Sequence, residues 1–194
     1  TLIVYMFGLK VNKDQIYIEK LKKFEPEIKI VLNKIIDYLC VHIINQIKAG
    51  ADIVQIFDSW AGLIPESKLF DYCYDPNRKI VDFCKKNEIP VICFPKGIKD
   101  KYINFAEIVD PDCLSLDYEV DPLWAKNNLK KFCLQGGMDP KVLFKEENEI
   151  FQEVDKYLNI FKNHPYIFNL GHGLLPETNP DVLQKVIERV NSYK

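Results

Sequence analysis

Short apolar runs alternate with longer amphipathic stretches along this chain. The runs at Leu2–Met6 (LIVYM), 52–57 (DIVQIF), 90–94 (PVICF), Cys113–Leu116 (CLSL), 132–136 (FCLQG) and 166–170 (YIFNL) predict six strands. Each is followed by sequence with helical spacing. The longest such stretch, 26–49, carries Ile28, Leu32, Ile35, Ile36, Leu39, Ile43 and Ile47 at steps of three or four, which puts them on one helix face. Pro26 suits the first turn, where a missing N–H costs nothing, and Gly50 suits the left-handed end. Further helices are expected over 67–86, with Pro76 making a break or new start near Asp75, and over 101–109, 122–129, 146–161 and 180–193. Pro140–Phe144 reads as one helical turn.

The strand runs are apolar rather than alternating, as parallel strands covered on both faces are. Strand–helix alternation leaves two architectures, an open doubly wound sheet or a barrel. GxGxxG after the first strand and GxxxxGKS/T are both absent, so the usual nucleotide-binding signatures of open sheets are missing. There is no internal repeat, low-complexity tract or Ser/Gly linker, and 1–194 is expected to form a single domain. Because the chain opens inside a strand-like run, an upstream segment is also expected.

Composition mainly excludes. With 194 residues, 47% hydrophobic and 28% charged, the chain can bury a core without disulfides or metal. A formal net charge of -2 leaves no basic footprint for nucleic acid. The six cysteines, Cys40, Cys73, Cys84, Cys93, Cys113 and Cys133, form no CxxC pair. They read as buried reduced thiols of a cytoplasmic protein, and their spacing does not support zinc. No uninterrupted apolar stretch approaches the ~20 residues of a membrane span. The longest candidate, 28–47, is broken by Lys29, Asn33, Lys34, Asp37, His42 and Asn45.

In parallel α/β folds the chemistry gathers at the C-terminal strand ends. The predicted strands place there Tyr5, then Phe57, Asp58, Ser59 and Trp60, then Lys96 and Gly97, then Asp117, then Gly136, Gly137 and Asp139, then Gly171, His172 and Gly173. No nucleophile–base–acid arrangement is visible. Ser59 lacks a GxSxG elbow, and no two of His42, His164 and His172 are four residues apart. The set suits a polar, anionic ligand held by hydrogen bonds. Plainer roles stay open: Tyr5 as a core aromatic, Ser59 as a loop or cap residue, and Asp58, Asp117 and Asp139 as caps or strand-end hydrogen bonders. Lys96 reads as a solvated or ion-paired lysine, and His42 and His164 as structural or exposed. His172, between two glycines, fits a core role poorly.

FDSWAG (57–62), FPKG (94–97), LQGGMDP (134–140) and NLGHG (169–173), in this order at strand ends, resemble the uroporphyrinogen decarboxylase family. The resemblance runs through the whole chain and covers about the C-terminal half of a family member. It implies an α/β fold of the (β/α)8 TIM-barrel type, with six C-terminal strand–helix units present and the N-terminal units missing. It also implies a cytoplasmic homodimer acting in porphyrin and heme biosynthesis, with no partner among nucleic acids or membranes. The implied reaction converts uroporphyrinogen III to coproporphyrinogen III by decarboxylating its acetate side chains, with no metal and no organic cofactor. The tetrapyrrole is its own electron sink. A pyrrole carbon is protonated, the acetate loses CO2, and the remaining carbon takes a proton.

On matching positions, the resemblance makes Tyr5 (VYM), Ser59 (FDSWAG) and His172 (NLGHG) the substrate-binding residues, with His172 able to be cationic. Phe57 is expected to pack on the macrocycle, and Gly136 and Gly137 to let backbone approach it. The family's arginine-rich segment and catalytic aspartate fall before Thr1. The catalytic residues are therefore unknown here, and this chain alone is expected to bind weakly and not turn over. Two departures are visible: FGLKVNKD (7–14), where the family is glycine-rich, and Gly137, where Asn is usual. Other readings are a non-catalytic split-gene remnant, or a half that assembles with its N-terminal partner. The related cobamide-dependent methyltransferases hold zinc through a His-x-Cys pair at the strand end that here reads Phe94-Pro95-Lys96. An incomplete barrel has open edges, so instability, aggregation or pairing with another polypeptide is expected.

Overall fold

The computed structural model describes residues 1–13 and 15–193, and Asp14, the end of the 7–14 segment, lies outside the described residues. The chain divides into two compact units, Thr1–Asp112 and Cys113–Lys194.

The first unit opens with a helix, α1 (Leu2–Met6), where the apolar run predicts a strand. Ile3 and Val4 are buried, whereas Leu2, Tyr5 and Met6 are exposed, a helical rather than a two-residue period. An apolar run this short carries no period of its own, and packing decides its state. A hairpin follows, β1 (Lys10–Asn12) antiparallel to β2 (Gln15–Ile16), then α2 (Ile18–Lys23). The long helix α3 (Glu25–Lys48) has Pro26 in its first turn, as expected, and buries Ile28, Ile36 and Ile43 on the predicted face.

Helix α3 packs against α4 (Asp75–Lys86). Ile30, Tyr38 and Val41, on its other side, are exposed. By length and composition alone α3 could cross a membrane. Strands β3 (Val54–Phe57) and β4 (Val91–Phe94) pair in parallel, with Val54 opposite Val91 and Phe57 opposite Phe94. Helix α5 (Tyr102–Val109) closes the unit and packs on α4.

The break expected at Pro76 is a π-helical turn at Phe70–Tyr74 feeding α4. Proline has no N–H to donate four residues back, which frees a carbonyl in the preceding turn. One residue on, the Asn77 side-chain amide donates to the Cys73 carbonyl at 2.8 Å. The adjacent Tyr72 hydroxyl is buried without a protein partner, and burial pushes its phenol up to about 12. A buried hydroxyl left unpaired costs free energy. Tyr72→Phe is therefore expected to raise stability by about 1 kcal/mol, read as a higher denaturation midpoint. A lower midpoint would mean that the hydroxyl is satisfied. Burial also raises the Cys73 and Cys93 thiols well above the ordinary range and Cys84 to about 11, in keeping with inert core thiols.

In the second unit β5 (Cys113–Leu116), β6 (Cys133–Gly136) and β7 (Tyr166–Ile167) pair in parallel, β6 in the middle. A single bridge, Met138 to Leu170, continues the pairing beyond β7. Helix α6 (Pro122–Asn128) is capped by Asp121, which accepts from the Trp124 amide at 2.7 Å. Helices α7 (Glu147–Phe161) and α8 (Pro180–Ser192) pack together, with the Arg189 guanidinium on the Asp155 carboxylate and Tyr193 donating to Asn159 at 2.8 Å. Five parallel strands thus stand among the described residues where six are predicted, the difference being Leu2–Met6.

Candidate functional site

The first unit gathers its candidates around the turn after β3. Asp58 is almost buried and accepts from both the Thr1 nitrogen and the Thr1 hydroxyl, each at 2.7 Å. The Trp60 amide donates to the Thr1 hydroxyl at 3.0 Å. These bonds lock the start of α1 onto the β3 turn. One turn later Tyr5 stacks on the Trp60 ring, with centroids 4.1 Å apart and 25° between planes. Tyr5 is therefore a helix residue, 66% exposed, and neither a strand-end residue nor a core aromatic. Ser59, directly before Trp60 in sequence, is half-buried. Phe57 is exposed at the end of β3 and meets Phe94 edge-on at 6.0 Å.

The FDSWAG and FPKG segments touch through their glycines. The Gly62 amide donates to the Lys96 carbonyl at 2.9 Å, and a Cβ on Gly62 would lie 2.6 Å from the Gly97 carbonyl carbon. Lys10, on β1, holds its ammonium 3.9 Å from the centre of the Trp60 ring. A groove of 830 Å³ lies elsewhere in this unit, beside α2, and none of these strand-end residues lines it.

The second unit builds its candidates from the ends of β5, β6 and β7. Asp117 is buried and accepts from the Glu119 amide at 3.0 Å. Asp139 accepts from the Lys141 amide at 2.9 Å and starts the 3-10 turn Pro140–Phe144. Both aspartates thus take the hydrogen-bonding roles open to them in the sequence.

Gly171 donates to the Met138 carbonyl at 2.7 Å and lies against the backbone of Asp117 and Tyr118. The next residue, His172, is exposed and lies over the Tyr118 ring, with centroids 6.4 Å apart and 26° between planes. Its Nδ1 accepts from the Gly173 amide at 2.6 Å. His164 bonds the Phe132 carbonyl at 2.9 Å, a structural role.

Gly136 and Gly137 differ from expectation. Their close neighbours are the Leu116 and Leu170 carbonyls and the Tyr157 ring, and their own carbonyls accept from the Tyr166 hydroxyl at 2.7 Å and the Tyr157 hydroxyl at 2.8 Å. The glycines make room for protein. Among the described residues no group of three or more His, Cys, Asp and Glu side chains is placed to hold a metal ion.

The family model for uroporphyrinogen decarboxylase matches residues 1–193. The chain belongs to the uroporphyrinogen decarboxylase family. It is 34% identical over 195 residues to the uroporphyrinogen decarboxylase of Cereibacter sphaeroides, covering 98% of this chain and 57% of that protein. It is 36% identical over 199 residues to that of Rhodobacter capsulatus, with 98% and 57% covered. Against that of Rickettsia bellii it is 35% identical over 204 residues, with 100% and 58% covered. The chain therefore spans less than three fifths of the length of these relatives.

Membership in the uroporphyrinogen decarboxylase family agrees with the α/β class and with successive parallel strand–helix units of the (β/α)8 TIM type. Two aromatic residues support the expected ones, Trp60 from among the strand-end candidates and Tyr118 from outside them. Trp60 underlies Tyr5, and Tyr118 underlies His172. Tyr118 directly follows Asp117, an aromatic residue next to a strand end, and that is the signal by which sequence can find it.

Proposed function

We propose that this chain is the substrate-binding C-terminal portion of a uroporphyrinogen decarboxylase that converts uroporphyrinogen III to coproporphyrinogen III. The single observation that carries this reading is the family match across residues 1–193. The local chemistry supports it. Among the described residues the Ser59 hydroxyl has no hydrogen-bond partner, which leaves it to a ligand. Tyr5 and Phe57 expose aromatic rings to an apolar macrocycle. With Nδ1 accepting from backbone, neutral His172 carries its proton on Nε2, a donor of the kind that binds a carboxylate.

The carboxylates are held by these donors, and the pyrrole supplies the electron sink, so the reading needs no metal or organic cofactor. The arginines and the aspartate that stabilise the pyrrole cation belong to the part of the relatives that this chain does not span. The complete enzyme is read as a cytoplasmic homodimer built on one barrel domain.

The test supplies that part. This chain is assayed anaerobically with uroporphyrinogen III, alone and joined to the N-terminal portion of the Cereibacter sphaeroides relative, and products are separated after oxidation. The joined protein is expected to form coproporphyrinogen III, and the chain alone nothing above background. If a well-folded joined protein forms no partly decarboxylated product, the decarboxylase reading fails. Turnover by the chain alone would overturn the assignment of the catalytic groups to the unspanned part.

A further inference from the structure

We propose that Lys10 is a further carboxylate-binding residue, one that sets the site's preference for the more heavily carboxylated tetrapyrrole. The proposal rests on the decarboxylase reading and adds a residue that the reading does not use.

Lys10 is placed by its backbone. Leu9, immediately before it, is fully buried and donates its amide to the Val4 carbonyl of α1 at 2.9 Å. The Leu9 carbonyl accepts from the Tyr17 amide at 2.7 Å, and Lys10 pairs with Ile16 across the hairpin. From this anchored position the side chain reaches Trp60, with Nζ 3.9 Å from the ring centre. Trp60 also carries the Tyr5 ring at 4.1 Å and follows Ser59 directly. A phenol, an indole and an ammonium thus meet on one patch, with the Ser59 hydroxyl one residue away in sequence.

Among the described residues no carboxylate pairs with the Lys10 ammonium, whereas several lysines of the same unit have oxygen partners. Lys22 pairs with Glu19 at 3.1 Å, Lys29 and Lys68 both pair with Glu25 at 3.0 Å, and Lys20 donates to the Gly8 carbonyl at 3.2 Å. An ammonium resting on an indole face is held in place by the ring's quadrupole and keeps N–H donors directed away from it. It can therefore accept a carboxylate without leaving the ring. The Tyr5–Trp60 pair beside it offers an apolar shelf.

The ligand this patch fits is an apolar ring bearing carboxylates on short arms. Uroporphyrinogen III carries acetates and propionates, while coproporphyrinogen III keeps only the propionates. A cation at the edge of the shelf that takes an acetate favours the first over the second.

The test uses this chain with stable probes of the two carboxylation levels, uroporphyrin III and coproporphyrin III. Each is titrated at low and moderate salt and followed by porphyrin absorbance and tryptophan fluorescence. Wild type is expected to bind uroporphyrin III more tightly than coproporphyrin III. Lys10→Met should weaken uroporphyrin III binding about fivefold, the size of one exposed ion pair, and leave coproporphyrin III unchanged. Lys10→Arg should keep the preference, because guanidinium retains both the charge and the ring contact. Equal weakening for both probes, or none in Lys10→Met with an unchanged melting midpoint, overturns the role of Lys10 and leaves the decarboxylase reading standing. If wild type binds neither porphyrin, the role of Lys10 is overturned, and the decarboxylase reading is decided by the joined protein.

Discussion

Gly171→Ala is expected to destabilise the second unit by about 3 kcal/mol, near the upper end of ordinary overpacking costs. A Cβ at this position would lie 2.9 Å from the Asp117 carbonyl carbon and equally close to the Tyr118 Cα, and closer still to the Tyr118 nitrogen. All three are backbone atoms, so no rotamer change relieves the overlap. The glycine cannot simply retreat, because its amide donates to the Met138 carbonyl at 2.7 Å. Relief has to come from separating the segment after β7 from the end of β5, which also draws His172 off the Tyr118 ring. Gly173→Ala is the control. Nothing lies within 4 Å of a Cβ there, and the backbone is not left-handed, so a change below about 0.5 kcal/mol is expected. Denaturant unfolding followed by far-UV dichroism compares the two. Equal midpoints would mean that the close approach at Gly171 does not exist in solution.

That contact illustrates which parts of the molecule are legible in sequence. Helices α3, α7 and α8 are long enough for the three-to-four spacing to declare itself, and the predicted face of α3 is the one that buries Ile28, Ile36 and Ile43. Strands β3 to β6 start within two residues of their predicted positions because each is a short apolar run fenced by turn residues. Leu2–Met6 fails because five apolar residues fit either period, and the deciding facts are distant: Thr1 bound to Asp58, and Leu9 bonded back to Val4. The hairpin β1–β2 is mostly polar and exposed apart from Ile16, so no hydrophobic pattern announces it.

The site divides along the same line. NLGHG and FDSWAG advertise His172 and Ser59 through residue type at strand ends. What those residues rest on is non-local. Tyr118 lies 54 positions before His172, and Lys10 meets an indole 50 positions away, separations that no local pattern encodes. The glycines mislead for the same reason. Their residue type says that something comes close, but only the fold says that it is the Leu170 carbonyl at Gly136 and the Tyr157 ring at Gly137.

His172 carries the largest expected effect on binding, and its geometry separates two roles that the sequence leaves together. The resemblance allows a cationic imidazole as the carboxylate anchor. In the structure Nδ1 accepts from the Gly173 amide at 2.6 Å, which requires a lone pair on that nitrogen. An imidazolium has none, so charging the ring breaks this bond. The neutral form, with its proton on Nε2, keeps the bond and still carries one N–H donor.

On the proposed function, His172→Leu is expected to weaken uroporphyrin III binding about thirtyfold, the loss of one hydrogen bond to a charged group. His172→Gln keeps a neutral donor at comparable reach and should stay within about threefold of wild type. A neutral donor also makes wild-type affinity flat from about pH 8 to about pH 6. An imidazolium anchor instead tightens the binding of an anion as pH falls through ~6.5. The decisive measurement is therefore the affinity of wild type and His172→Gln across that window. If wild type gains tenfold on acidification and His172→Gln does not, the histidine anchors substrate as a cation, and the Gly173 contact belongs only to the unliganded state. If both profiles are flat and only His172→Leu is weak, the bond between Nδ1 and Gly173 persists with substrate bound, and the backbone at Gly173 selects the tautomer that does the binding.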